Sequence, residues 1–253
     1  MVKVITDRLK RDKLYRSGGP AVDELDHILS NIKHEKFHLK GQLRITASLA
    51  FARLLIGQHL KEFQSKYPDL RLDFVLSDGY IDLVGNNIDL AFRIGELPDS
   101  SLKAIKIAES SRKLYASKEY LKTHGVPKKK EDLENHSKLF YNRLSDTPAW
   151  PLKDRNDKRI TYSFEPYMQS DGSELIRECM FAGLGIALLP TWMVENTSQH
   201  NLAAAVLTKH APPSSPIYVV ISERKELSLK QRAIIEFFKE KFEKISTVSQ
   251  RNS

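Results

Sequence analysis

Apolar and polar residues alternate at Leu70, Leu72, Phe74 and Leu76 and again at Ile88, Leu90, Phe92 and Ile94, the period of two that half-buried strands show. Ahead of them, Leu43 to Thr46 predicts a short strand, which flows into a helix carrying Ile56, Leu60, Phe63 and Tyr67 on one face. The turn residues Ser77 to Gly79 end the second strand, and IDLVGNN predicts a short helix before the third. The order is β-α-β-α-β. Helical crossovers imply a mostly parallel sheet covered on both faces, which binds ligands at the carboxyl ends of its strands. The stretch RIGELPDSSL, Arg93 to Leu102, lies at such an end.

Farther along, KLYASKEYLKTHGVP repeats the strand-then-helix pattern, and residues 139 to 168 read as β-rich and irregular. SDGSELIRECMFAGLGIALLP predicts a turn, a helix opening near Ser173 with Glu174 in its first turn, then glycines and a strand. The chain finishes with a strand, IYVVI, and a helix whose Ile234, Ile235, Phe238 and Phe242 share one side. Near the start, SGGP at Ser17 to Pro20 breaks any regular element. Val22, Leu25, Leu29 and Ile32 then mark an apolar seam on a helix running to about Lys40. That seam faces either its own domain or a second copy of the chain.

With 253 residues, 41% hydrophobic and 28% charged, the chain can bury one large core or two modest ones. A net charge of +8 suits a polyanionic partner and equally a merely soluble surface. The basic run Lys128 to Lys130 reads as a solvated loop. A single cysteine, Cys179, excludes an internal disulfide framework and points to a reducing compartment. No signal-peptide pattern opens the sequence and no apolar run reaches membrane-spanning length, so a cytoplasmic location is expected.

Catalytic signatures do not emerge. Gly183 to Gly185 follow a helix and precede a strand, the reverse of a nucleotide-binding turn, and fit close packing with a left-handed backbone angle. There is no Walker loop, no GxSxG elbow and no HExxH. His34 and His38 are helical neighbours on a charged face, without the carboxylates of a metal site, and Cys179 shares an apolar stripe with Leu175, Ile176 and Met180. The expectation is a non-enzyme with neither cofactor nor metal.

Several stretches together resemble the LysR-type transcriptional regulators: GQLRITASLAFARLL, FQSKYPDLRLDFVLSDGYIDLV, NNIDLAFRIGELPDSSLKAIKI, YASKEYLKTHGVPKKKEDLENH and MFAGLGIALLPTWMV, covering Gly41 to the end in order. The resemblance implies an α/β, two-lobe, periplasmic-binding-protein-like (type II) effector domain with mostly parallel sheets, preceded by a linker helix. It places lobe I at 41–112 and 216–247, lobe II at 113–215 and the linker helix at 20–40. Residues 1–19 become the remnant of a winged helix-turn-helix, with Arg8 and Arg11 at two phosphate-contacting wing positions. Two strands near Glu109 to Lys113 and Pro216 to Val219 would join the lobes.

What the resemblance implies about function is a small effector, an organic acid or other anion, held between the lobes by hydroxyls and backbone N–H groups. Ser48, Leu49 and Ala50 would serve at the first helix, Ser77 and Asp78 after the second strand, and Ser170, Asp171 and Gly172 before the second-lobe helix. Arg93, Gly95, Asp99, Ser100 and Ser101 would form the mouth or floor. The sequence departs from the family at Ala50, where serine is common, and at Gly79, where many relatives carry arginine. The DNA-reading helices are almost absent, so a truncated regulator with poor operator binding is expected, assembling as a homodimer or homotetramer through helices at Ala50 to Lys66 and Glu174 to Phe181. A cytoplasmic binding protein, or an enzyme of the same two-lobe plan, is the alternative.

Overall fold

The computed structural model describes residues 39–79, 81–97, 102–154, 156–222 and 227–251, and the side chains among them other than 144, 222 and 243–251. The wing residues Arg8 and Arg11, the linker helix, and Asp99, Ser100 and Ser101 lie outside the described residues. Residues from Gly41 onward form one compact unit.

Two five-stranded sheets organise that unit. In the first, β1 (Gly41–Ala47) runs parallel to β2 (Leu70–Leu76) on one side and to β3 (Leu90–Ile94) on the other. β12 (Ser215–Ser222) then pairs antiparallel with both β3 and β4 (Leu102–Ser110), giving the order β2-β1-β3-β12-β4. In the second, β5 (Arg112–Ser117) lies antiparallel to β10 (Ile186–Pro190) and β11 (Ala203–Val206). β6 (Lys138–Tyr141) runs parallel to β10 and β9 (Met168–Ser170), and the order is β11-β5-β10-β6-β9. A hairpin of β7 (Ala149–Lys153) and β8 (Arg159–Ser163) forms a separate pair.

Each sheet is therefore mixed, not mostly parallel. Parallel pairing arises where a helix carries the chain back across a sheet face. β4 instead passes into β5 through Ser111 alone, and β12 enters the first sheet without a crossover helix, so these strands dock antiparallel. The strands that the alternation predicts form as β2 and β3, with Leu70, Leu90 and Phe92 buried, but Leu76 is exposed and Ala91 is buried as well. The expected helix in IDLVGNN does not form: Leu83–Asn87 is a run of turns, with Asn86 and Ile88 N–H donating to Asp82 and Leu83 carbonyls and Asn87 at φ +52°. Asp82 accepts from Val84 N–H, a local side-chain bond that competes with helix propagation.

Helices cover the sheets. Ser48 caps the first, its hydroxyl accepting from Phe51 N–H, and α1 (Leu49–Phe51) continues through a π-helical turn (Ala52–Ile56) into α2 (Gly57–Lys66). α6 (Leu229–Arg251) contributes Phe237, Phe238 and Phe242 to an aromatic core with Phe51, Phe63 and Phe92, where successive ring centroids lie 5.1–5.8 Å apart, largely edge to face. Ile234 and Ile235 are buried beside them as the sequence spacing predicts. On the second sheet, α3 (Lys118–His124) is capped by Ser117 and ends at Gly125, while α4 (Ser173–Phe181) buries Ile176 and Met180. Cys179 is only partly buried and Leu175 is exposed, so the apolar stripe expected around the thiol is half realised.

Lys128 and Lys129 donate their backbone N–H groups to Asp132, which ties the basic run into a tight loop. Gly183 holds φ +82°, and a Cβ on Gly185 would lie 2.4 Å from the Ser137 carbonyl oxygen. Gly185 serves the close approach of β10 to the start of β6, and Gly183 the left-handed backbone angle.

Candidate functional site

The parallel registers determine which loop residues meet. Ala47 pairs with Leu76, and Ser77 N–H donates to Ala47 carbonyl at 3.0 Å, so Ser77 and Ser48 leave the sheet side by side. Thr46 pairs with Ala91, which carries the same register on to Ser48 and Arg93. On the second sheet Tyr141 pairs with Ser170. The carboxyl ends of parallel strands from both sheets thus present the segments at 48–50, 77–79, 141–143 and 170–172.

The same tripeptide, Ser-Asp-Gly, closes a strand on each sheet. In the first, Ser77 Oγ accepts from Gly79 N–H at 3.0 Å; in the second, Ser170 Oγ accepts from Gly172 N–H at 3.0 Å. Each is a hydroxyl-closed turn that projects its central aspartate. Asp78 Oδ1 takes the Leu49 N–H at 3.2 Å, and Gly172 N-caps α4. The Leu49 donor therefore already has a carboxylate partner from within the chain. The buried Ala50 has no polar atom beyond its backbone to offer.

Arg143 joins the two turns. It follows β6 in a 3-10 turn (Asn142–Leu144), and its Nε donates to the Asp78 carbonyl oxygen at 2.8 Å. Its Nη1 lies 3.7 Å from Asp171 Oδ2, an ion pair too long for a hydrogen bond. Nη2 rests against Gly79, where any Cβ would sit 2.4 Å away. Beside it, burial pushes the Tyr141 hydroxyl up to about 12, with the Asp78 and Asp171 carboxylates adding to burial and Arg143 opposing it. A second bridge runs from Arg53 Nε to Glu174 Oε1 at 2.8 Å, between the π-helical turn and α4.

Arg93 and Gly95 lie on and just past β3, where Gly95 takes φ +97° and donates to the Pro216 carbonyl at 2.9 Å. Arg93 pairs with Tyr218 of β12 in the same sheet. Sequence reasoning named Asp78 and Asp171 but missed Arg143 and Tyr141. The available signal was YNRLSD, an apolar strand ending in turn residues, the same pattern that drew attention to RIGELPDSS. Among the described residues there is no group of three His, Cys, Asp or Glu arranged to hold a metal, and no helix long and apolar enough to cross a membrane.

A two-sheet domain with strand ends facing one another is the plan of two-lobe ligand-binding domains. The family model described as "LysR substrate binding domain" matches residues 38–243, and the chain belongs to that family of transcriptional regulators. It is 29% identical over 202 residues to the HTH-type transcriptional regulator CrgA of Neisseria meningitidis serogroup C (strain 8013), covering 79% of this chain and 67% of that protein. It is 28% identical over 233 residues to the HTH-type transcriptional regulator DmlR of Escherichia coli (strain K12), covering 91% and 75%. Among solved structures, the CrgA regulatory domain from N. meningitidis superposes with a TM-score of 0.73 at 28% identity, covering 81% of this chain and all of that one. The full-length virulence activator AphB of Vibrio cholerae gives 0.68 at 27% identity, covering 90% and 77%.

Proposed function

We propose that this chain is the sensing part of its regulator, and that a small-molecule effector binds between the sheets, at the facing Ser-Asp-Gly turns. One observation carries this reading. Arg143 of the second sheet reaches the Asp78 carbonyl of the first at the carboxyl ends of both sets of parallel strands. In open α/β sheets that is where ligands bind. Ser48, Ser77, Asp78, Ser170, Asp171 and Gly172 supply the polar surface, and Arg93, Gly95, Asp99, Ser100 and Ser101 an outer rim. A ligand that prefers one arrangement of the sheets shifts the population toward it, and that shift is the signal passed to DNA-bound subunits.

The role we assign to this cluster is binding without turnover. Assembly into dimers or tetramers accompanies this role, through the faces of α1–α2 and α4. A DNA contact through Arg8 and Arg11 would reach phosphates at any sequence.

Thermal-shift screening of the chain with small organic acids and aromatics tests the cleft. A true effector raises the melting temperature by mass action, and Ser77→Ala combined with Ser170→Ala removes the rise. A rise that persists unchanged in that double variant refutes the cleft. A gel-shift assay in which the 253 residues bind operator DNA tightly and selectively refutes the expected weak DNA binding.

A further inference from the structure

We propose that Arg112 and Arg159 form a phosphate-binding site on the face of the second sheet covered by the β7–β8 hairpin. The site uses none of the residues assigned to the effector, so it stands or falls apart from the cleft.

Arg112 opens β5 directly after Ser111, the one residue between β4 and β5. Side chains two apart on a strand share a face. Arg112 therefore points to the side of Leu114 and Ala116, into the core that Trp150 and Leu152 of β7 share and against which Ile160 and Tyr162 of β8 pack. Apolar cover takes its guanidinium out of water. Arg112 Nε is buried there without a hydrogen-bond partner. Arg44 Nε is orphaned too, but Arg44 Nη1 stands 3.4 Å from Asp73; among the described residues no hydrogen bond or ion pair engages any side-chain nitrogen of Arg112.

The charges around it do not compensate. Burial, followed by repulsion from Arg159 on β8, pushes the Arg112 guanidinium below the usual arginine range, with no carboxylate opposing them. Arginine stays protonated in proteins, so the group remains a charge with an unmet donor, a cost that a bound oxyanion offsets. Carboxylates on the flanking segments are committed elsewhere. Glu195 is bonded to Lys113 and Tyr115, Asp157 pairs with Lys153, and Asp154 accepts from the N–H groups of Asn156 and Lys158.

One flank of β5 is open at this point. β11 pairs with β5 from Ala203 opposite Ser117 to Val206 opposite Leu114 and stops there, because Leu207 turns left-handed at φ +50° and a 3-10 turn (Thr208–His210) follows. Pro190 of β10 pairs with Arg112 on the other side, and no β11 residue stands across from it on this one. Nε is buried while the residue as a whole is half-buried, so the fork is reached from outside. Two guanidiniums with no carboxylate between them are balanced better by a dianion than by a monoanion. A phosphate group carries nearly that charge at neutral pH, and its several oxygens accept from the Nε–Nη fork of Arg112 and from Arg159 along separate directions, which the two oxygens of a planar carboxylate do less completely.

The test is Nε–Hε NMR of the arginines on the full chain, titrated with inorganic phosphate and with phenyl phosphate, with chloride and acetate at matched ionic strength as controls. The Arg112 signal, assigned by its loss in Arg112→Met, shifts saturably with both phosphates and not with chloride or acetate. Arg159→Gln, at an exposed position that leaves the fold intact, weakens that binding roughly tenfold or more. Phosphate also raises the melting temperature of the wild type by mass action, and Arg112→Met abolishes the rise. Tighter binding of phenyl phosphate identifies a phosphorylated small molecule as the ligand; equal binding identifies the free ion. Failure of phosphate to saturate the Arg112 signal, a shift that chloride reproduces, unchanged affinity in Arg159→Gln, or a rise in melting temperature that persists in Arg112→Met overturns the site.

Discussion

The indole Nε1 of Trp192 donates to Ser110 Oγ at 3.0 Å, joining α5 (Thr191–Val194), which follows β10 of the second sheet, to the last residue of β4 in the first. Both residues are buried, and the Trp192 ring meets Phe51 edge to face at 5.8 Å. Ser110→Ala leaves the indole N–H buried without its acceptor and is expected to cost about 1–3 kcal/mol, measured as a lower urea midpoint with an unchanged slope. An unshifted midpoint would show that water replaces the hydroxyl.

Phe238 is fully buried and touches Phe63, Phe92, Phe237 and Phe242. Phe238→Ala is expected to lose about 3–5 kcal/mol, enough to unfold a domain of ordinary stability, while Leu229→Ala at the exposed start of the same helix stays within about 0.5 kcal/mol. Comparable losses in the two variants by thermal melting would contradict the placement of α6.

Gly185 and Gly95 separate two reasons for glycine. A Cβ at Gly185 meets the Ser137 carbonyl, which accepts from Ile186 N–H at 2.8 Å in the β10–β6 junction; at Gly95 nothing lies within 4 Å and only φ +97° resists substitution. Gly185→Ala should therefore cost more than Gly95→Ala, whose strain alone amounts to about 1–3 kcal/mol. Hydrogen exchange of β10 amides should rise in the first variant only.

Acid should weaken the fold through one buried and one half-buried imidazole. Burial holds His59 and His136 below the usual histidine range, with Lys241 and His124 respectively adding to the effect. Their folded values are depressed, so the unfolded chain takes up protons first; stability is complete above about pH 6.5 and declines as pH falls below it. His136 Nδ1 lies 3.2 Å from the Tyr120 hydroxyl, so His136→Gln keeps a polar partner and should flatten part of the slope in melting temperature between neutral and mildly acidic pH. An identical slope in the variant would assign the effect elsewhere.

Much of this architecture was legible in the chain. The alternations around Leu72 and Phe92, the Ser48 and Ser117 caps and the apolar face of α6 are local patterns, and local patterns determine strands, helices and their ends whatever lies across the sheet. The Ser-Asp-Gly turns were also visible, since a hydroxyl two residues before a glycine N–H closes a turn from short-range geometry alone. The Leu83–Asn87 turns went against expectation because Asp82 and Asn86 bond locally to the backbone a helix would need.

Pairing across the fold was decided only by tertiary structure. Whether β12 docks parallel or antiparallel depends on how the chain returns between sheets, and no residue within β12 encodes that route. Asp78 and Arg143 stand 65 positions apart, and their meeting depends on two registers, a strand end in each sheet and the missing side chain of Gly79. The sequence determined that turns rich in hydroxyls and carboxylates would end the strands. Long-range packing alone brought a guanidinium between them, because contacts of that separation are set by the summed geometry of both sheets and not by any local preference.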